Sequence, residues 1–137
     1  MAKVLIIDDD PSLLRLYQKV FTLEGHEVVL ASEGSEAINI VRTIHPDIIL
    51  LDIMMPTMNG IDVLKILKSD TVLSHIPVVI LTNLSSSQDS QKALSLGALK
   101  CVIKSEMDPQ QVVAVAKEIL DGKVSKVSKV SNVSKAL

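Results

Sequence analysis

The chain has 137 residues, a formal net charge of −2 and a single cysteine, Cys101. This length suits one domain with its own hydrophobic core, and the near-neutral charge gives no general reason to bind nucleic acid or a membrane surface. One cysteine forms no intrachain disulfide, and no stretch approaches the ~20 apolar residues of a membrane helix. Acidic residues interrupt the apolar start directly after Ile7, so we expect no signal peptide and a cytoplasmic location.

Apolar runs alternate with segments of helical periodicity along most of the chain. The runs predict five strands, at residues 4–7, 28–30, 47–52, 77–82 and 99–103. Helical spacing predicts five helices, at residues 11–25, 35–44, from Gly60 onwards, 85–97 and 109–122. Asp10-Pro11 and Asp108-Pro109 have the residue types favoured at an N-cap and at the first helical position, so they mark the starts of the first and last helices.

The alternation of strand and helix favours a parallel sheet covered by helices on both faces. Right-handed crossovers restrict the topology of such a sheet. We predict an α/β fold with five helices and a doubly wound, five-stranded parallel sheet in the order 2-1-3-4-5. Strands one and three are neighbours in that order, and ligands bind at the carboxyl ends of the strands near this switch point.

Ionisable and polar residues stand at the carboxyl ends of four predicted strands. Asp8 and Asp9 follow the first, Asp52 ends the third, and Thr82 and Lys104 stand at the ends of the fourth and fifth. Close carboxylates repel by about 4 kcal/mol per pair at an effective dielectric near 20, and a divalent cation such as magnesium relieves this. Asp52 is a candidate covalent nucleophile towards a phosphoryl group, and Lys104 and Thr82 are candidates to contact that group.

Four motifs together are more specific than any of these residues alone. They are Asp8-Asp9, Asp52 followed by Ile53-Met54-Met55-Pro56-Thr57-Met58-Asn59-Gly60, Leu81-Thr82, and Ile103-Lys104. In this combination and order, residues 3 to about 121 resemble the receiver domain of two-component response regulators. The resemblance implies a flavodoxin-like fold and a phosphoacceptor switch, which is no enzyme beyond self-catalysed phosphorylation and dephosphorylation.

The resemblance also implies roles for individual residues. Asp52 would accept a phosphoryl group from a histidine kinase or a phosphotransfer protein, and Thr82 and Lys104 would contact that group. The implied Mg²⁺ ligands are Asp9 directly, Asp8 mostly through water, Asp52, and the backbone carbonyl of Met54. We expect a single-domain regulator that signals through a protein bound at the face of the fourth helix, fifth strand and fifth helix, with no DNA-binding domain and no membrane contact.

Three positions depart from the family pattern. Cys101 replaces an aromatic residue, Ser105 replaces a proline that often has a cis peptide, and Asn83 replaces a small residue. A cis peptide before serine would cost about 2.5–4 kcal/mol, so we predict a trans Lys104–Ser105 bond. The departures leave open a receiver-like binding module that works without phosphorylation.

Two other classes fit the residues less well. A dehalogenase-type phosphatase needs a second acid two residues after Asp52, where Met54 stands. A flavin binder of flavodoxin type must cradle a phosphate where Asp8, Asp9 and Asp10 would repel it.

The end of the chain differs in composition from the rest. Residues 123–137 repeat Lys-Val-Ser with four lysines and no acid, so the net charge of −2 becomes −6 for residues 1–122. We predict a receiver domain at 1–122 and a low-complexity basic tail at 123–137, either flexible or extending the fifth helix. A basic docking peptide is a further alternative.

Overall fold

The computed structural model describes residues 2–83 and 87–122, apart from the side chain of Ser87. The strands are β1 (Lys3–Ile7), β2 (Glu27–Ala31), β3 (Ile48–Leu51), β4 (Val78–Thr82) and β5 (Lys100–Ile103). The helices are α1 (Pro11–Leu23), α2 (Gly34–Ile44), α3 (Gly60–Ser69), α4 (Ser87–Ser95) and α5 (Pro109–Leu120). All ten predicted elements are confirmed. Two short 3₁₀ turns, Leu73–His75 and Lys104–Glu106, were not predicted.

The five strands form one parallel sheet in the order β2-β1-β3-β4-β5, as predicted. At the carboxyl end of the sheet, Ile7 is in register with Ala31 of β2 and with Leu51 of β3. On the other side of β3, Thr82 of β4 is in register with Ile103 of β5. The residues directly after β1, β3 and β5 therefore emerge at one edge of the sheet.

Two hydrophobic clusters cover the two faces of the sheet. Alternate residues of β1 and β3 point to opposite faces, so Leu5 and Ile49 belong to one cluster while Ile6 and Leu50 belong to the other. Because both faces are covered, these strands read as continuous apolar runs in the sequence instead of alternating ones. Phe21 joins the second cluster as one of its largest fully buried side chains.

The predicted helix starts of α1 and α5 are confirmed by their side-chain caps. The Asp10 carboxylate accepts hydrogen bonds from the N–H groups of Ser12 and Leu13, and Asp108 forms a reciprocal capping box with Gln111. The predicted start of the fourth helix at residues 85–86 lies outside the described residues, as does the predicted tail at 123–137.

The third strand is shorter than the predicted range of 47–52 at both ends. Asp47 lies before β3, and its side chain accepts a hydrogen bond of 2.8 Å from the N–H of Lys3. Asp52 lies after β3, in the loop that leads to α3. The described residues contain no cis peptide bond, so the predicted trans Lys104–Ser105 bond is confirmed.

The described helices are short. None of them combines the length and the apolar composition that crossing a lipid bilayer requires.

Candidate functional site

Backbone pairing places the two buried aspartates at the carboxyl edge of the sheet. The N–H of Asp8 donates to the carbonyl of Ala31 at 3.1 Å, and the N–H of Asp52 donates to the carbonyl of Ile7 at 3.0 Å. Sheet pairing thus continues one residue beyond β1 and β3, so both side chains have fixed positions. Asp8 is 2% exposed and Asp52 is 5% exposed.

The predicted convergence of the three acidic residues is confirmed. One carboxylate oxygen from each of Asp8, Asp9 and Asp52 lies within 4.8 Å of the other two. They share the wall of a cavity of about 280 Å³, which we call the aspartate cavity. Its lining residues are Asp8, Asp9, Asp10, Leu13, Asp52, Met54, Asn83 and Lys104. Asp9 is exposed, so the cavity opens to solvent on its side.

Lys104 supplies a positive charge to this cavity. Its ammonium group forms a close ion pair with Oδ2 of Asp8 and lies 3.5 Å from Oδ2 of Asp52. The Lys104 side chain is only 7% exposed, so solvent screens these contacts little. The unpredicted 3₁₀ turn begins at Lys104 itself, directly after β5. The lysine thus bridges the ends of β1 and β3 from the end of β5.

The surroundings of Asp52 raise its pKa to about 6. Burial is the largest cause, and the nearby charges of Asp8 and Asp9 act in the same direction. Lys104 and the N–H of Met54, which donates to Oδ1 of Asp52 at 3.2 Å, lower the pKa and offset part of this. With a pKa of about 6, most Asp52 side chains are ionised at neutral pH, and the carboxylate is the nucleophilic form.

Gly60 holds the Asp52 loop against the start of α3. Its N–H donates to the carbonyl of Ile53 at 2.8 Å. A Cβ atom at this position would lie 2.2 Å from the Asp52 carbonyl oxygen and 2.8 Å from the Ile53 Cα. No side chain fits there without moving the backbone that carries the carboxylate. From the sequence, Gly60 was predicted as a helix start and as the end of the Asp52 motif, but its contact with the Asp52 carbonyl was not predicted. The available signal was a glycine eight residues after the aspartate.

The middle of the same loop has a strained turn. Thr57 has a positive φ of 71°, and the N–H of Met58 donates to the carbonyl of Pro56 at 2.8 Å. This pattern is the γ-turn with positive φ, which is rare and costly for a β-branched residue. The turn brings Met58 against α2, where a Cβ at Gly34 would lie 2.8 Å from Met58 Cγ. Packing against α2 therefore holds the strained loop in place.

Thr82, unlike the other predicted site residues, does not line the aspartate cavity. It is the last residue of β4 and is 1% exposed, but the cavity is lined by its neighbour Asn83. From the sequence, Asn83 was noted only as a departure from the family pattern, and Asp10 and Leu13 were not predicted to be part of the site. The N–H of Asp10 donates to Oδ1 of Asp8 at 2.9 Å, which helps to fix that carboxylate.

The donor atoms of the aspartate cavity suit a hard divalent cation. Three carboxylates offer oxygen ligands at short mutual distances, while Lys104 balances only one of the three negative charges. Asp9 is exposed and can turn towards an ion without losing a buried contact. The described residues contain no other group of three or more His, Cys, Asp or Glu side chains close enough to hold a metal ion.

Comparison with known proteins identifies the family. Residues 4–117 match the response regulator receiver domain, and this chain belongs to that family. Over 112 residues it is 39% identical to the DNA-binding response regulator MtrA of Mycolicibacterium smegmatis, which covers 82% of this chain and 47% of MtrA. Over 131 residues it is 33% identical to the probable transcriptional regulator ycf27 of Porphyridium aerugineum, covering 96% of this chain and 52% of ycf27.

Solved structures agree with this assignment. A CheY-like response regulator receiver domain protein from Methanospirillum hungatei superposes with a TM-score of 0.82 at 26% identity, covering 90% of this chain and 96% of that one. The chemotaxis protein CheY4 of Vibrio cholerae gives a TM-score of 0.80 at 27% identity, covering 86% and 98%. The predicted family and fold class are therefore confirmed.

One expectation from the sequence is wrong. We expected no DNA-binding domain, but the curated relatives include DNA-binding response regulators, and this chain spans about half of their length. A receiver folds around its own core, so its residues do not show what is joined to it. The expected output through a protein bound at the α4, β5 and α5 face belonged to the same prediction and is wrong with it, because the named relatives are DNA-binding and transcriptional regulators.

Proposed function

We propose that this receiver domain is a phosphoacceptor switch in which Asp52 is phosphorylated by a histidine kinase or a phosphotransfer protein. An oxygen of the Asp52 carboxylate attacks the phosphorus of a phosphohistidine. The new O–P bond forms as the N–P bond breaks, and the departing imidazole keeps the electron pair and takes up a proton. The product is an acyl phosphate on Asp52. Turnover is limited to this transfer and the later hydrolysis of the same bond.

Charge neutralisation is the main requirement of such a transfer. We assign Mg²⁺ to the aspartate cavity, with Asp8, Asp9, Asp52 and the Met54 carbonyl as its ligands. The bound ion supplies positive charge next to the transferred group. Lys104 is 3.5 Å from Asp52 and would move from Asp8 towards the phosphoryl oxygens. Thr82, at the end of β4, is the proposed hydroxyl donor to one of these oxygens.

A single observation carries this proposal. Asp52 is a buried carboxylate with a lysine 3.5 Å away, and its pKa of about 6 leaves it ionised at neutral pH. It lies on the wall of a cavity that opens to solvent past Asp9. A carboxylate with a purely structural role has no need of a cavity that leads from it to solvent.

The test is phosphorylation by a small donor. The first prediction is that acetyl phosphate and Mg²⁺ add the mass of one phosphoryl group to the wild-type protein and none to Asp52→Asn. The control Asp62→Asn, an exposed acid on α3, should label as the wild type does. Intact-protein mass spectrometry reads out both results.

Two outcomes would contradict the proposal. Equal labelling of Asp52→Asn would place the phosphoryl group on another residue. An unlabelled wild type, under conditions that label a known receiver, would favour a receiver-like binding module that works without phosphorylation.

Two further expectations accompany the proposal. We propose that residues 1–122 form the receiver and that residues 123–137 are a low-complexity basic tail; the family match covers 4–117. The cytoplasmic location stays a prediction. The stand-alone arrangement expected from the sequence is not carried forward, because the named relatives are about twice as long as the matched region.

A further inference from the structure

A second and larger cavity lies at the opposite end of the sheet from Asp52. Its volume is about 640 Å³, and we call it the basal cavity. Ala2, Asp47 and Pro77 on its wall precede β1, β3 and β4, so the cavity opens at the amino ends of the strands. A strand of five residues is about 16 Å long, which separates the basal cavity from the phosphorylation chemistry.

The wall of the basal cavity is negatively charged. Glu24, Asp47 and Asp121 each contribute a carboxylate, and Lys117 offsets one of the three. Helices α1 and α5 end beside the cavity, at Leu23 and Leu120, so the negative ends of two helix dipoles add to the field. Apolar side chains such as Val113 and Ile119 complete the lining. The site thus suits a segment that brings ammonium groups together with small apolar side chains.

The chain itself contains such a segment, and it starts at the edge of this cavity. Residues 123–137 hold four lysines, no acid and a valine at every third position through Val133. Leu120 and Asp121 line the cavity, so the first lysine is two residues away, at most roughly 7 Å along an extended chain. Helix α5 ends at Leu120, and Gly122 has a left-handed φ of 77°, which turns the backbone away from the helix axis.

We propose that the Lys-Val-Ser segment at 123–137 docks in the basal cavity of its own chain. Lysines of the segment pair with Glu24, Asp47 and Asp121, and its valines contact the apolar wall. Because both partners belong to one chain, their effective concentration is on the order of millimolar. Individually weak contacts are therefore enough to keep the segment bound. The segment thereby covers the amino end of the sheet and leaves the aspartate cavity open.

The test is a comparison of backbone amide chemical shifts in matched tail variants of the full chain. One variant carries Lys→Gln at positions 123, 126, 129 and 135, and its control carries Lys→Arg at the same four positions. We expect the glutamine variant to shift the amides of Ala2, His26 and Asp47, which are remote from the tail in sequence. The arginine variant should keep the wild-type positions because it keeps the charge.

Removal of the acidic partners provides the reciprocal test. In a Glu24→Gln, Asp121→Asn background, the lysine and glutamine tails should give the same shifts at Ala2, His26 and Asp47. In a control background with Asp62→Asn and Glu118→Gln, exposed acids outside the basal cavity, the difference between the two tails should persist.

Several results would overturn the proposal. Unchanged amides at Ala2, His26 and Asp47 in the glutamine variant would show that the tail does not reach the cavity. Shifts that disappear on dilution would identify a second copy of the chain as the occupant. Equal shifts in the arginine and glutamine variants would show that lysine charge is not what binds. Phosphorylation of Asp52 should be unaffected in every variant, so this test is independent of the proposed function.

Discussion

At the scale of single residues, the molecule places two buried carboxylates next to one lysine. Asp8 and Asp52 are both more than nine-tenths buried, and Lys104 reaches both of them. Its contact with Asp8 is the closer one. One ammonium group does not neutralise two carboxylates, so ionised Asp52 costs folding free energy that its protonated form does not. The raised pKa of Asp52 is the measure of that cost.

This cost predicts how stability depends on pH. The folded pKa of Asp52 is about 6, above the ordinary value of 3.8, so the folded protein binds more protons than the unfolded chain between these values. Its contribution to stability therefore falls as the pH rises from about 4 to 6, and the whole cost is present above pH 6. Asp52→Asn should raise the free energy of unfolding by up to about 3 kcal/mol at pH 7 without metal, and by little at pH 4.

Urea unfolding of both proteins at pH 4 and pH 7, in the presence of a chelator, measures this difference. Asparagine keeps an oxygen that can accept from the N–H of Met54, so the substitution removes charge and little else. Asp62→Asn should give no such gain at pH 7, because that side chain is exposed and pays no burial cost. A gain at pH 7 no larger than the gain at pH 4 would refute the prediction.

At the scale of elements, the loop between β3 and α3 determines where Asp52 stands. It contains the strained turn at Thr57 and the close approach of Gly60 to the Asp52 carbonyl. At Gly60 the lack of a side chain lets α3 approach the Asp52 backbone, and at Gly34 it leaves room for the Met58 side chain. The loop is thus shaped by contacts with α2 and α3 at its ends, while its own turn stores strain.

The substitution Gly60→Ala tests whether helix propensity or the contact with the Asp52 backbone has the larger effect on stability. Alanine favours a helix over glycine by about 1 kcal/mol, so propensity alone predicts a stabilised protein. The added Cβ would lie 2.2 Å from the Asp52 carbonyl oxygen, so we expect a loss of roughly 2–3 kcal/mol instead. Denaturant unfolding gives the sign, and slower labelling by acetyl phosphate should accompany the loss because the Asp52 backbone must shift.

Thr57→Gly in the same loop is the matched control, with the opposite expected sign. Glycine adopts the positive φ of 71° without steric cost, so the variant should be stabilised by about 1 kcal/mol. If both variants destabilise the protein equally, the loop tolerates no substitution at all, and the specific steric reason given for Gly60 is wrong.

At the scale of the whole molecule, a cation in the aspartate cavity is coupled to global unfolding. The unfolded chain does not hold three carboxylates within 4.8 Å, so an ion that binds there binds the folded state. It also screens the repulsion that Lys104 leaves unbalanced. Metal binding and stability are therefore two readouts of the same group of charges.

This coupling predicts that Mg²⁺ raises the melting temperature. At a concentration about 100-fold above Kd, binding adds about 2.7 kcal/mol to the free energy of unfolding. Asp9→Ala should remove most of this gain, because it deletes one of the three carboxylates that would hold the ion. Asp9 is exposed, so its removal should change the stability of the metal-free protein little. Asp8→Ala should also destabilise the metal-free protein, because Asp8 pairs with Lys104 and accepts from the N–H of Asp10.

Thermal unfolding with MgCl₂, and with NaCl at matched ionic strength, separates site binding from screening. A rise in melting temperature that is the same in both salts would show screening alone. The same rise in Asp9→Ala as in wild type would mean that Asp9 is not a ligand.

The sequence by itself determined the ten elements, the sheet order and the set of acidic residues at the carboxyl edge. These follow from local periodicity, N-caps such as Asp10 and Asp108, and the handedness of crossovers, which act over short distances along the chain. Only the tertiary structure decided that Lys104 lies closer to Asp8 than to Asp52, that Asn83 lines the aspartate cavity, and that Gly60 touches the Asp52 carbonyl. Those contacts join residues brought together by packing of separate elements, and no local pattern encodes their distances. Neither the sequence pattern nor the tertiary structure indicated that relatives carry a DNA-binding domain. A domain that folds around its own core has no contacts that reveal which domain is joined to it.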